Sequence, residues 1–109
     1  MKLARWGRPG FEKPLVTADE IGDVGRLSMS LTVNGETMQN GTTADMIFGA
    51  HHLVAYVSRF MELRPGDVIT TGTPAGVGLG MKPPRFLSAG DEVVLEIDGL
   101  GRQRQKIVQ

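Results

Sequence analysis

Apolar and polar residues alternate most clearly at Leu27, Met29, Leu31 and Val33, with Ser28, Ser30 and Thr32 between them. This period of two predicts a half-buried strand. Asn34-Gly35 follows it directly and favours the positive φ angles of a type I′ turn, so Glu36-Thr37-Met38-Gln39 is expected to return antiparallel. Near the C-terminus Val93, Leu95 and Ile97 alternate with Val94, Glu96 and Asp98, which predicts a second hairpin. Leu15-Val16-Thr17 reads as a short strand, and Ala18-Asp19-Glu20-Ile21-Gly22 as a turn or a single helical turn. One principal helix is expected from about 45 to 61. Thr42 or Thr43 would start it, Asp45 would lie in its first turn, and Met46, Ala50, Leu53, Val57 and Phe60 would form its apolar face before Arg64-Pro65-Gly66 stops it. Asp67-Val68-Ile69-Thr70 is β-branched and strand-like, while residues 1–14 show no periodicity and read as an irregular head. The fold class is therefore mixed β with one principal α-helix, in a single domain over residues 1–109.

Composition narrows the function classes. Twelve Lys and Arg balance twelve Asp and Glu, so no net field favours nucleic acid or an anionic membrane. No cysteine is present, which removes disulfides, thiolate metal sites and a cysteine nucleophile, and fits a reducing cytoplasm. No window has the length of a membrane span, and Met1-Lys2-Leu3-Ala4-Arg5-Trp6 lacks a secretory apolar stretch.

The chemistry concentrates in Ile69-Thr70-Thr71-Gly72-Thr73-Pro74-Ala75-Gly76-Val77-Gly78. Glycines and a proline interrupt β-branched residues there, and such a bend can aim backbone amides and a threonine hydroxyl at one anion. A structural turn uses the same residues, and both readings stay open at this level. A phosphate-binding P-loop needs Lys after its last glycine, whereas Gly76, Gly78 and Gly80 precede Val77, Leu79 and Met81. A dinucleotide loop needs a helix to open there, and Lys82-Pro83-Pro84 prevents it. His51 and His52 lie about 100° apart on a helix and cannot face one metal together. Asp19, Glu20 and Asp23 read as solvated acids of a turn. Arg102, Arg104 and Lys106 share one face of the last strand, where basic residues blunt a sheet edge or pair across a dimer. No serine sits in a nucleophile-elbow context.

Four strings then carry a family resemblance: PLVTADEI at 14–21, VNGETMQNGTTADMIF at 33–48, YVSRFMELRPGDVITTGTPAGVG at 56–78 and FLSAGDEVVLEIDGLG at 86–101. In family order, they resemble the C-terminal half of fumarylacetoacetate hydrolase family proteins. The resemblance implies a partial β-roll, usually homodimeric, and hydrolysis, decarboxylation or isomerisation of a small 2-keto or β-diketo diacid. It also implies a divalent ion, Mg2+ or alternatively Mn2+ or Ca2+. In the family a Glu-x-Glu pair and a later aspartate hold that ion, and they precede the point where the match begins. The family's catalytic lysine before Gly-Phe-Asp corresponds to Pro9, and the aspartate to Glu12. The chain is thus expected to be a truncated copy that retains the substrate-anchoring residues. Gly72 and Thr73 match the loop that holds the substrate carboxylate, Pro74 shapes it, and Gln39 and Thr43 match positions near the cavity. The alternative is a catalytically inactive fragment that binds carboxylates weakly or only dimerises. No catalytic or metal-binding residue is assigned.

Overall fold

A computed structural model describes residues 2–4 and 15–109. Strands β1 (Lys2–Ala4) and β2 (Leu15–Thr17) pair antiparallel, so part of the expected irregular head is strand. Pro9, Glu12, Trp6 and Phe11 lie outside the described residues. Helix α1 (Ala18–Ile21) is the anticipated single turn. The acids around it cap amides: Glu20 accepts from the Thr17 amide at 2.9 Å, and Asp23 accepts from the Gly25 amide at 2.9 Å.

The main sheet has four antiparallel strands in the order β4-β3-β5-β6, namely β3 (Ser28–Val33), β4 (Glu36–Thr42), β5 (Glu92–Ile97) and β6 (Gly101–Lys106). Both predicted hairpins are present. Asn34 and Gly35 take φ of 52° and 82°, the left-handed geometry that Asn-Gly tolerates. Asn34 also clamps the start of β5, since its Nδ2 donates to Asp91 at 2.8 Å and its Oδ1 accepts from the Glu92 amide at 2.9 Å. The Ser88 amide and Asn34 both donate to the Asp91 carboxyl, in that order of importance, and hold it below the usual carboxylate range. β6 is an edge strand, and its Arg104 reaches back to Glu92 at 2.5 Å.

A bulge interrupts the β3–β4 register: Leu31 faces Gln39, but Thr32 faces Thr37, leaving Met38 as the extra residue. Consecutive residues of a regular strand point to opposite faces. The bulge instead brings Met38 and Gln39 to the same cavity.

Between β4 and β5 the chain departs from the sheet, and here two expectations are corrected. The principal helix α2 is Ala50–Val57, capped by Gly49, and does not begin at 45. Thr43–Asp45 forms a separate 3-10 turn in which Thr42 accepts from the Ala44 amide. Thr43 is therefore no helix cap. Its hydroxyl oxygen accepts the Leu27 amide at 2.9 Å while its own amide donates to Leu27 O at 2.9 Å, which extends the β3–β4 ladder by one rung. Phe60, assigned to the apolar face, is 71% exposed and meets the Tyr56 ring at a tilt of 57°. Phe48, His52, Tyr56 and Phe60 form an outward ladder at i, i+4 spacing, so His52 is an aromatic rung. Residues 67–70 form no strand: no described neighbour offers them a ladder, and Val68 is 76% exposed.

Among the described residues Val16, Leu27 and Val33 form the buried apolar core. Leu27 is consequently sensitive to its polar partner. Thr43→Val removes the acceptor for a part-buried amide and should cost about 1–3 kcal/mol. Urea unfolding checks this, and a shift below about 0.5 kcal/mol would contradict the assignment.

Candidate functional site

The bend at 72–76 is docked on β4 by two glycines. A Cβ on Gly76 would stand 1.9 Å from the carbonyl oxygen of Met38, and φ at Gly76 is +107°, so only glycine fits. A Cβ on Gly41 would meet Pro74 Cβ at 3.0 Å, so the bare strand at 41 lets the proline ring lie flat against it. Neither role was assigned from sequence, although a glycine inside a strand pattern signals close approach of another backbone.

Gln39 joins strand to loop. Its Nε2 donates to Thr73 Oγ1 at 2.8 Å and to the Pro74 carbonyl at 2.8 Å. The carbonyl can only accept, which fixes the amide with nitrogen towards the loop. Thr73 Oγ1 therefore spends a lone pair on Gln39 and keeps its proton to donate outwards. Gly72, with φ +94°, and Thr73 are exposed, while Pro74 is half-buried. Among the described residues no protein acceptor takes the amides of Gly72, Thr73, Ala75 or Gly76. From Val68 to Met81 no side chain is charged. The result is an open bend without a charged side chain that offers backbone amides and a hydroxyl as donors, groups able to hold a carboxylate. Thus Gln39, Gly72, Thr73 and Pro74 come together, while Thr43 is placed in the β3–β4 ladder instead.

Beside the bend lies a cavity of about 150 Å³, walled by Leu31, Val33, Met38, Gln39, Val77 and Arg85 among others. Its lining is mainly apolar. The Arg85 Nη1 donates to Glu36 at 2.5 Å, and this carboxylate raises the Arg85 pKa above the usual arginine value.

Among the described residues no group of three or more His, Asp, Glu or Cys is suited to a metal ion. His51, His52, Asp19, Glu20 and Asp23 make no such set. No described helix is long and apolar enough to cross a membrane.

Residues 9–108 match the family described as fumarylacetoacetate (FAA) hydrolase, C-terminal. The chain belongs to the fumarylacetoacetate hydrolase family. Its sheet has the architecture of solved members: a fumarylacetoacetate hydrolase from Exiguobacterium antarcticum superposes with a TM-score of 0.80 and 40% identity, over 87% of this chain and 34% of that one. Maleylpyruvate hydrolase from Sphingobium sp. SYK-6, solved with manganese(II) and pyruvate, gives a TM-score of 0.76 and 37% identity over 88% of this chain and 34% of the other. A Burkholderia ambifaria protein, named only provisionally as a hydrolase, is 59% identical over 92 residues, which is 84% of this chain and 33% of that protein. The chain thus spans about a third of the length of the curated relatives it matches. Divalent metal is present in this family: fumarylpyruvate hydrolase from Pseudomonas aeruginosa was likewise solved with Mn2+ and pyruvate.

Proposed function

We propose that this chain is the substrate-anchoring part of an enzyme of the fumarylacetoacetate hydrolase family acting on a small 2-keto or β-diketo acid, with C–C hydrolysis as the reaction that the named relatives favour. The observation that carries this reading is the hydrogen bond from Gln39 to Thr73, because it turns the threonine proton towards solvent beside free amides. A carboxylate placed there takes one hydroxyl and up to two amide hydrogen bonds. Each is charge-assisted, and together they orient the keto group without a cationic side chain. Binding and orienting are the roles of Gly72, Thr73 and Gln39; Pro74 stiffens the bend against Gly41.

The dependence on Mg2+ or Mn2+ belongs to the same proposal. The described residues do not supply a ligand set for it, so its ligands would come from outside them, and no chemical step is assigned here to a metal. Nor does a titratable side chain stand in the bend. Proton transfers would fall to groups outside the bend.

Titration of the 109-residue protein with pyruvate, followed by amide chemical shifts, tests the anchor. Shifts should centre on Gly72, Thr73, Ala75 and Gly76. Thr73→Val, which keeps shape and removes the donor, should weaken binding roughly tenfold or more, the worth of one hydrogen bond to a charged group. Equal affinity in the variant would defeat the reading.

A further inference from the structure

We propose that Arg85 is a positioning residue for the carboxylate bend, acting through Glu36 to hold the chain that leaves the bend against β4. The inference rests on the anchoring role proposed above and supplies the far half of its support. Three ties run in order along the strand. Gln39 holds Thr73 and Pro74, Gly76 lies against the Met38 carbonyl, and Glu36 accepts from Arg85 Nη1 at 2.5 Å. The loop therefore runs antiparallel to β4, with Arg85 as its last hold. A second contact brings Arg85 next to the bend despite its distance in sequence. The Arg85 amide donates to the Gly78 carbonyl at 2.9 Å, and a Cβ on Gly78 would stand 1.9 Å from Arg85 O, so the approach needs a glycine there. Residues 79–84 are looped out between these partners, and a pull on Arg85 is a pull on the segment just past Gly76. The same Nη1 lies 3.7 Å from the Met38 sulfur, which seats the guanidinium on the bulge itself.

The bulge makes the double hold possible. Gln39 is paired with Leu31 and Glu36 with Val33, and residues paired across strands share a face, so Glu36 and Gln39 lie on one side of β4, roughly 7 Å apart by the strand rise. Without the extra residue at Met38, positions 36 and 39 would point to opposite sides and one hold would face away from the loop. The ion pair is exposed, with the Arg85 side chain 40% and the Glu36 side chain 65% accessible, so it adds little to global stability. Its effect is local. It sets the fraction of molecules whose bend is in place, and apparent affinity scales with that fraction.

Calorimetric titration of the full chain with pyruvate separates positioning from a simple attraction between Arg85 and the anion, because the two differ in sign at Glu36. Neutralising Glu36 removes a negative charge, so attraction alone makes Glu36→Gln bind pyruvate more tightly. Positioning gives the reverse: Arg85→Met and Glu36→Gln should each weaken binding about two- to fivefold, the worth of one exposed ion pair. The double variant should be no weaker than either single one, since both cut the same hold. Arg85→Lys keeps the charge facing Glu36 and should recover most of the affinity. Thermal unfolding followed by circular dichroism should be nearly unchanged throughout, while in the ligand-free protein the amide resonances of Thr73, Ala75 and Gly76 should move in both single variants. Tighter or unchanged binding by Glu36→Gln, or a double-variant loss equal to the product of the two single losses, would overturn the proposal. If the wild type does not bind pyruvate, the anchoring reading has failed by itself; the ligand-free resonances then decide the Arg85 hold, and amides unmoved by either variant overturn it.

Discussion

Gly76→Ala is expected to cost about 3 kcal/mol or more of stability and to lift the 72–76 bend off β4. Two penalties add. The new methyl would sit 1.9 Å from the Met38 carbonyl oxygen, and neither partner is a flexible side chain that can swing away, so backbone must move. Overpacking of this kind costs about 1–3 kcal/mol. The φ of +107° is also a region that essentially only glycine occupies, worth a further 1–3 kcal/mol or so. Gly72→Ala is the control: its φ is +94°, yet a methyl there meets nothing within 4 Å, so it should pay the conformational cost alone. Urea unfolding of the three proteins checks the ranking. Comparable stability of the Gly76 and Gly72 variants would mean that the contact with Met38 does not exist in solution.

The second large effect should come from Gln39→Leu, with pyruvate affinity falling about 10- to 100-fold. Leucine has nearly the size of glutamine but donates nothing. Thr73 Oγ1 then loses the partner that orients its proton, and the Pro74 carbonyl loses a part-buried donor. Gln39→Glu should do worse. It places an acceptor against the Pro74 carbonyl and a negative charge beside the position of the ligand's carboxylate. Amide shift titration with pyruvate measures both. Undiminished binding by the leucine variant would remove Gln39 from the site.

What the sequence disclosed divides along local and distant lines. The Asn34-Gly35 turn is set by two residues and is legible at once. So is β3, whose alternating set is buried at Val33 and at Leu27 just before the strand. The turns ending in Gly66-Asp67 and Gly90-Asp91 share one local device. In both the aspartate accepts the amide three residues earlier, from Arg64 at 2.7 Å and from Ser88 at 2.8 Å. The helix start was misplaced because Thr43 and Asp45 look like capping residues, yet the Thr43 hydroxyl is drawn to Leu27, sixteen residues away. Residues 67–70 have strand composition, but composition cannot supply a pairing partner. Gln39 illustrates the limit most sharply. As a hairpin glutamine it explains itself, and its contacts lie 34 and 35 residues further on. The match to the family loop pointed at Thr73, whereas Gly41 and Arg85 emerged only once the bend was laid against β4.

The sheet consists of two short-range hairpins joined across β3 and β5, and everything assigned to ligand recognition apart from Gln39 lies in the long excursion between them, at 43–91. The entropy of closing such an excursion grows only logarithmically, about 0.6 kcal/mol for each doubling of its length. Insertions or exchanges there leave the strand register untouched. A lineage carrying this scaffold can therefore drift in what it recognises, by remodelling one contiguous stretch, without renegotiating how the framework assembles.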